Sequence, residues 1–231
     1  MKNKITIVGI NFWPEDTAIG LYTYQLANFY REQGLEVNVI TGFPYYPEWR
    51  INSEYRSKKT YYEESINGIK IYRFKQYVPK NPIFFKRILH LLHFTLGSLI
   101  NLFKIKKTDV VLCVVPFIGC VLIGKFLAKL KGAKLWVHIQ DFEFDAVRDS
   151  NLVDEKTDKN IIFRMLFYVE SKLLNSADLL STISFSMLKK LKGKTKIKIE
   201  KKLLPNWVDQ NFIVPEGHKK HSYLKSDKFK I

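Results

Sequence analysis

One stretch in the second half of the chain gathers side chains that can transfer or accept protons. From His138 to Asp145 an imidazole and three carboxylates fall within eight residues. A carboxylate can orient an imidazole or take up a proton from a hydroxyl group, so this stretch suits general acid–base chemistry. A lone histidine at a strand end is usually structural, and the pairing of His138 with Asp141 is the more suggestive feature.

A second loop, from Gly42 to Arg50, combines stiffness with groups that suit a sugar. Its prolines restrict the backbone, Tyr45, Tyr46 and Trp49 offer stacking faces, and Glu48 offers a hydrogen-bond acceptor. The composition is also compatible with an ordinary packed surface loop.

A third loop, from Asn11 to Gly20, leads into the amino terminus of a predicted helix. Free backbone N–H groups and the helix dipole favour an anion such as a phosphate at that place. The Gly-x-Gly-x-x-Gly spacing of a dinucleotide site is missing, which disfavours NAD binding. The alternative is an ordinary loop in which Gly20 serves close packing.

The elements that must position these loops follow a regular alternation. The run Lys4–Ile10 is typical of a buried strand, Leu21–Gln33 has helical spacing, and Glu36–Thr41 is the next strand. Asn67-Gly68 predicts a hairpin turn, and Ile83–Lys104 predicts one long helix. The alternation predicts a Rossmann-like α/β fold with an open, mostly parallel sheet and helices on both faces. The three loops then lie at the carboxyl ends of strands, where such folds bind ligands.

The alternation ends near residue 209, and this boundary divides the chain into two segments. Residues 1–209 form one predicted Rossmann-like domain, and residues 210–231 form a polar, lysine-rich tail. Cys113 and Cys120 have neither redox nor zinc spacing, so we expect two buried reduced thiols.

The composition points to a negatively charged partner. The formal net charge is +16, and hydrophobic residues make up 46% of the chain, enough for a packed core. Nucleic acid, an anionic membrane surface and a phosphate-bearing lipid all match the charge. No recognition motif accompanies the lysines of 189–202, so nucleic-acid binding is disfavoured.

With these loops in view, the chain resembles the bacterial family 4 glycosyltransferases of colanic-acid and O-antigen synthesis, which transfer fucose or N-acetylfucosamine-type sugars. The matching strings keep the family's order over nearly the whole chain. They are Gly9-Ile-Asn, Pro14-Glu, Gly20-Leu-Tyr-Thr, Val39-Ile-Thr, Pro44-Tyr-Tyr-Pro-Glu-Trp49, Tyr77-Val-Pro-Lys80, Lys86-Arg-Ile-Leu-His90, Val114-Val-Pro116, His138-Ile-Gln-Asp141, Asp145-Ala146, Ser181-Thr-Ile-Ser184 and Pro205-Asn-Trp207.

The resemblance implies the amino-terminal, acceptor-binding half of a GT-B fold and a retaining, metal-independent transferase without a cofactor. The co-substrate is a nucleotide-sugar donor, and the acceptor is an oligosaccharide linked to polyprenyl diphosphate at the inner face of the cell membrane. His138 and Asp141 are the implied catalytic residues. The implied substrate-binding residues are Glu15, Gly20, Tyr45, Tyr46, Glu48, Trp49 and Asp145.

The resemblance also implies a donor-binding domain, which has no counterpart in this sequence after Pro205-Asn-Trp207. We expect the chain to need a separate donor-domain chain, or to be a truncated and inactive fragment. A different class also fits, namely a non-catalytic, membrane-associated subunit that holds the acceptor.

The segment around residues 84–107 fits a cytoplasmic protein attached to a membrane surface. An uncharged apolar run, Ile88–Phe103, is flanked by cations, as in interfacial helices. Each cation near an anionic leaflet contributes about 1 kcal/mol. The alternative is a core helix with solvated charges. The predicted membrane contacts are Phe84, Phe85, Lys86, Arg87, Lys104 and Lys107.

Overall fold

The structure of the protein is a computed structural model in which residues 3–16, 18–142 and 159–208 are described. Eight strands form a single sheet in the order β3-β4-β2-β1-β5-β6-β7-β8. The strands are β1 (Lys4–Val8), β2 (Glu36–Gly42), β3 (Tyr61–Ile66), β4 (Ile69–Phe74), β5 (Val110–Val115), β6 (Lys134–Ile139), β7 (Leu179–Thr182) and β8 (Glu200–Leu203). The α-helices are α1 (Ala18–Glu32), α2 (Phe84–Ser98), α3 (Gly119–Lys131), α4 (Lys159–Leu174) and α5 (Phe185–Lys194), with short 3₁₀ helices at Ser53–Tyr55 and Leu99–Lys104.

All neighbouring strands are parallel except the edge pair β3–β4. That pair turns at Asn67-Gly68, where φ is 48° and 77°, so the predicted hairpin is confirmed. The predicted fold class is confirmed as well: the sheet is open and mostly parallel, with helices on both faces.

Alternate residues of each buried strand face opposite helix layers. On one side Ile7 and Val39 pack under α1, while on the other Val8 and Ile40 pack with the layer of α2 and α3. The same alternation continues through β5 and β6, so each face of the sheet has its own hydrophobic cluster. Helices α4 and α5 contribute Leu174 and Leu191 to the cluster of α2 and α3.

Two glycines let helices approach this sheet closely. A side-chain carbon at Gly124 of α3 would lie 2.1 Å from the Cys113 Sγ atom, and one at Gly97 of α2 would lie 2.0 Å from the Phe74 ring. Cys113 and Cys120 are both free and buried, as predicted from the sequence. Burial raises the pKa of the Cys113 thiol well above its usual value, so it stays protonated.

The predicted helix over Ile83–Lys104 divides into two parts. It is α-helical to Ser98 and then continues as a 3₁₀ helix over Leu99–Lys104. A 3₁₀ helix has three residues per turn, which aligns Leu99, Leu102 and Ile105 on one side. Leu99 and Leu102 of this helix, and Ile105 just after it, all pack against the core.

Candidate functional site

The candidate site lies at the edge of the sheet where the carboxyl ends of the parallel strands meet. Strand β1 lies between β2 and β5, so the order of the strands reverses between β1 and β5. Ligands of open α/β sheets bind beyond the strand ends at such a reversal. The first two loops follow β1 and β2, and the third follows β6, which is separated from β1 by β5 alone.

Glu15 joins the first loop to the second. One of its carboxylate oxygens accepts hydrogen bonds from the backbone N–H groups of Tyr45 (2.8 Å) and Tyr46 (2.9 Å). The other oxygen accepts from Asn11 Nδ2 at 2.9 Å. Burial raises the pKa of Glu15, although these hydrogen bonds act in the opposite direction. The carboxylate therefore shapes the second loop from inside the protein, and a direct contact between Glu15 and substrate stays a prediction.

Arg73, at the end of β4, is fully buried and joins the same two loops. Its Nη1 donates to the carbonyl of Gly42 at 3.0 Å, and its Nη2 donates to the carbonyl of Trp13. Its Nε pairs with the Glu64 carboxylate, and the guanidinium lies over the Tyr55 ring, 4.9 Å from its centroid. The charge is thus compensated and hydrogen-bonded, as burial requires.

Gln76 completes this arrangement, because its side-chain amide bonds to both backbone groups of Phe43, as a neighbouring strand would. Its Oε1 accepts from the Phe43 N–H (2.7 Å) and its Nε2 donates to the Phe43 carbonyl (2.9 Å). We call Glu15, Arg73 and Gln76 the loop clamp, because together they hold both loops by backbone groups.

Position 20 requires glycine because its backbone lies directly against Glu15 of the loop clamp. A side-chain carbon at this position would lie 2.8 Å from the backbone oxygen of Glu15 and 2.9 Å from its Cβ atom. This close approach supports the packing role considered from the sequence. Whether Gly20 also approaches the donor sugar stays a prediction.

The second loop presents an aromatic surface next to the first two turns of α2. The Tyr45 ring centroid lies 4.6 Å from that of His90 and 5.4 Å from that of Trp49. Trp49 has a positive φ of 50°, which is unusual for a bulky residue and often marks a functional position. The Arg87 guanidinium lies 5.1 Å from the centroid of the Trp49 ring. We call Tyr45, Trp49 and His90 the aromatic wall.

His90 is fully buried within this wall. Its Nδ1 lies against the Tyr77 carbonyl, which only accepts hydrogen bonds, so Nδ1 carries the hydrogen and Nε2 is an acceptor. Burial lowers the pKa of His90 and keeps the ring neutral. No described residue donates to Nε2, so it is a buried acceptor without a donor in this part of the protein.

The predicted binding residues of the second loop differ in exposure. Tyr45 and Trp49 belong to the wall, with Tyr45 buried and Trp49 partly buried. Tyr46 and Glu48 are exposed to solvent on the same loop. The loop thus has a packed side and a side that is open to solvent, and the side chains of Tyr46 and Glu48 lie on the open side.

His138 is buried in β6 and hydrogen-bonded through both ring nitrogens. Its Nδ1 lies 2.9 Å from Ser181 Oγ in β7, and its Nε2 lies 3.1 Å from Gln140 Nε2. The indole nitrogen of Trp136 donates to the same Ser181 oxygen at 2.7 Å. We call His138, Ser181, Trp136 and Gln140 the imidazole group.

The charge state of this histidine follows from its surroundings. Burial lowers the pKa of His138 from 6.5 to about 4, so the ring is neutral at pH 7. The Gln140 amide nitrogen donates to Nε2, which leaves the hydrogen on Nδ1, directed at Ser181. To accept a proton at Nε2, His138 would first have to give up its hydrogen bond with Gln140.

The two predicted site aspartates of the third loop, the catalytic Asp141 and the substrate-binding Asp145, have different outcomes. Asp141 is exposed, and its Oδ1 accepts from the N–H of Phe142 at 2.7 Å. Within residues 134–142 and the other described segments, no hydrogen bond joins Asp141 to His138. Asp145 lies outside the described residues. The catalytic pairing of His138 with Asp141 therefore stays a prediction.

Sequence reasoning missed four residues that build this site: Arg73, Gln76, His90 and Ser181. A signal existed for Arg73, because it continues the inward-facing series Ile69 and Ile71 of β4. An arginine at an inward position must find buried partners, and this one holds both loops. For the other three, the partners are 13 to 43 residues distant in sequence, and no local pattern indicates them.

The described ranges contain neither a metal-binding cluster nor a membrane-spanning helix. Among residues 3–16, 18–142 and 159–208, no three His, Cys, Asp or Glu side chains gather where they could hold a metal ion. No helix in those ranges combines the length and hydrophobicity needed to cross a membrane.

The arrangement of the strands and helices defines the fold class of the protein. It is the Rossmann-like α/β fold found in GT-B glycosyltransferases, with the loop edge at the strand reversal. Sucrose-phosphate synthase from Thermosynechococcus elongatus superimposes with a TM-score of 0.55 at 13% identity, over 90% of this chain and 91% of that one. Arabidopsis thaliana UGT89C1, solved in complex with UDP, gives 0.51 at 12% identity, over 89% of this chain and 53% of that one.

A sequence relative is more specific. The chain is homologous to WcaI of Escherichia coli K12, whose name describes a colanic acid biosynthesis glycosyl transferase, with 36% identity over 206 residues. The match covers 88% of this chain and 50% of WcaI, so the chain spans about half the length of the curated relative it matches. No family model matches the sequence.

Proposed function

We propose that this chain is the acceptor-binding part of a glycosyltransferase of bacterial surface polysaccharide synthesis. The observation that carries the proposal is the aromatic wall and the neutral imidazole group at one edge of a GT-B-type sheet. The homology to WcaI supports the same proposal. The proposed domain is residues 1–209, followed by the tail 210–231.

The acceptor in this proposal is an oligosaccharide linked to polyprenyl diphosphate. Aromatic rings bind the apolar faces of sugars, and Trp49 and Tyr46 are the accessible rings of the second loop. Arg87 keeps its Nε on the Pro82 carbonyl (2.7 Å), and no hydrogen bond from its two terminal nitrogens reaches a described residue. A guanidinium beside an aromatic ring suits the diphosphate of such an acceptor.

The donor in this proposal is a nucleotide sugar, bound mainly by a domain outside this sequence. His138 and Asp141 are the proposed catalytic residues of a retaining transfer that uses neither metal nor cofactor. Gly20 and Glu15 form the part of the edge nearest the donor, with Glu15 acting through the second loop. The proposed place of action is the cytoplasmic face of the cell membrane.

One observation favours a second candidate, a non-catalytic subunit that holds the acceptor. Both nitrogens of His138 are already used inside the protein, which suits a structural ring better than a proton acceptor. The two candidates differ only in whether His138 takes part in transfer once the donor domain is supplied.

Acceptor binding tests what both candidates share. The chain is titrated with a soluble short-chain prenyl-diphosphate-linked sugar, and binding is measured by calorimetry. We expect Trp49→Leu to weaken binding about five- to tenfold, because an aromatic contact is worth about 1 kcal/mol. Phe29→Leu on α1 is the matched control, since Phe29 is an exposed aromatic on the other sheet face. Absence of binding by the parent chain would reject the acceptor role.

Transfer separates the two candidates. The chain is mixed with a donor-domain chain and a panel of sugar nucleotides, and products on the lipid-linked acceptor are analysed. For a transferase, His138→Ala abolishes product while acceptor affinity is retained. Transfer that survives this change removes His138 from the chemistry and leaves the holding role.

A further inference from the structure

The outer face of α2 and of the 3₁₀ helix that follows carries a continuous row of exposed apolar side chains. Successive members are three or four residues apart, so they align along one side of the helical segment. Their exposed fractions run from 51% to 79%. We call these six residues the apolar row: Phe85, Leu89, Leu92, Leu96, Ile100 and Phe103.

The opposite side of the same segment is already packed against the sheet. His90, Phe94, Ser98 and Asn101 are all fully buried there. The core therefore uses one face of the segment, and the row lies on the opposite, solvent-exposed face. An exposed row of this size marks an interaction surface.

The neighbouring helix also exposes large apolar side chains. Helix α3 packs against α2 in the same layer, and its Phe126 and Leu130 are about half exposed. Both helices of this layer thus carry exposed apolar residues.

Charge identifies the partner. From residue 83 to residue 131 the chain has eight Lys or Arg and one acidic residue, Asp109. Asp109 accepts a hydrogen bond from the N–H of Lys4 at the far end of β1. A second copy of the chain would bring cations against cations, whereas anionic lipid attracts them.

We propose that the apolar row and the exposed apolar residues of α3 dock into an anionic lipid bilayer, with α2 lying parallel to its surface. The cations that support docking are Lys86, Lys106 and Lys107, which are exposed beside the row. Lys104 is instead paired with Glu63 at 2.8 Å, and Arg87 lies over Trp49. Of the contacts predicted from the sequence, Phe85, Lys86 and Lys107 belong to this surface; the side chain of Phe84 is outside the described set.

The geometry links this surface to the aromatic wall, since Arg87 and His90 belong to the same helix as the row. A bilayer beneath α2 would present a membrane-bound diphosphate to the wall from the side. Docking itself does not depend on sugar transfer, so the two proposals can fail separately.

A fluorescent probe tests insertion directly. Both native cysteines are buried, so a cysteine introduced by Leu92→Cys can be labelled selectively with an environment-sensitive dye. We expect its emission to shift to the blue on vesicles of phosphatidylcholine mixed with phosphatidylglycerol. Phe29→Cys on α1, equally exposed at 52%, should not shift. Equal shifts, or none, would overturn the proposal.

Flotation with the same vesicles measures the affinity. We expect Leu89→Glu with Leu96→Glu to lower the partition coefficient at least about tenfold, because two buried leucines are lost from the interface. Lys106→Gln with Lys107→Gln should lower it about tenfold or more at low salt, with little effect in pure phosphatidylcholine. A different outcome would overturn the proposal: the parent chain does not bind vesicles and sediments as a dimer, and the variant with both glutamates sediments as a monomer. That outcome would show that the row joins two copies of the chain.

Discussion

The loop clamp buries full charges, whereas the imidazole group buries a neutral ring, although both lie at the same edge of the sheet. Arg73 and Glu15 are ionic and are satisfied mainly by backbone carbonyl and N–H groups of two loops. His138 is hydrogen-bonded to the side chain of Ser181 in the neighbouring strand and to that of Gln140, just after its own strand. The first arrangement fixes irregular backbone, and the second fixes the orientation of one ring.

This difference has a consequence for how each side of the site responds to change. A buried ion without its partner is costly in free energy, so the clamp is sensitive to losing either of its charged members, Arg73 or Glu15. A buried neutral ring is expensive only when it becomes protonated, so the imidazole group is sensitive to acid. Four experiments test this contrast.

The largest loss of stability is expected for Arg73→Met. The change leaves the carbonyls of Gly42 and Trp13 without donors and leaves Glu64 without its cation. Loss of one member of a buried ion pair costs about 3–5 kcal/mol. Denaturant unfolding measures the difference, and Arg87→Met, at an exposed arginine, is the control. Equal stability of the two variants would mean that the clamp is not held by charge.

The response to acid comes next. With a pKa of about 4 in the folded chain and 6.5 when unfolded, His138 binds its proton more tightly in the unfolded state. Stability from the neutral ring is complete above pH 6.5 and is lost as the pH falls toward 4. The loss is about 3 kcal/mol. Unfolding measured at several pH values should show this loss in the parent chain and not in His138→Gln; parallel curves would contradict it.

A smaller loss is expected for Glu15→Ala. It removes the acceptor of the Tyr45 and Tyr46 N–H groups and so loosens the second loop. An unsatisfied buried donor costs about 1–3 kcal/mol, and we expect about 2 kcal/mol in unfolding free energy. Glu48→Ala, at an exposed carboxylate of that loop, should stay within about 0.5 kcal/mol of the parent. Equal unfolding free energies for Glu15→Ala and Glu48→Ala would show that Glu15 orders the second loop without contributing to global stability.

The smallest effect is expected for Ser181→Ala in the imidazole group. The hydroxyl is shared by Trp136 and His138, and a lost neutral hydrogen bond is worth about 1 kcal/mol. Ser65→Ala, at an exposed strand serine, is the control in the same melting experiment. A loss as large as that of Arg73→Met would show that the imidazole group and the loop clamp contribute equally to the free energy of unfolding.

Much of the fold could be predicted because its signals are local. The apolar runs of β1 and β2, the helical spacing between them and the Asn67-Gly68 turn each specify an element within a few residues. Parallel strands then bring their carboxyl ends together, which is why the loops after β1, β2 and β6 were expected at one edge.

The site was less predictable because its contacts are distant in sequence. Arg73 reaches Trp13 across 60 residues, and His138 reaches Ser181 across 43. The apolar spacing of α2 lies on its exposed side, whereas its buried side includes His90 and Ser98, so the local pattern does not indicate which side packs against the core.

Local chain chemistry was therefore enough for the type, order and polarity of the elements, because propensity and periodicity act over one or two turns. Only the tertiary structure determined the charge state of His138, the partners of Glu15 and Arg73, and which side of α2 is exposed. Each of these depends on desolvation and on groups contributed by other strands, which meet only once the sheet has formed.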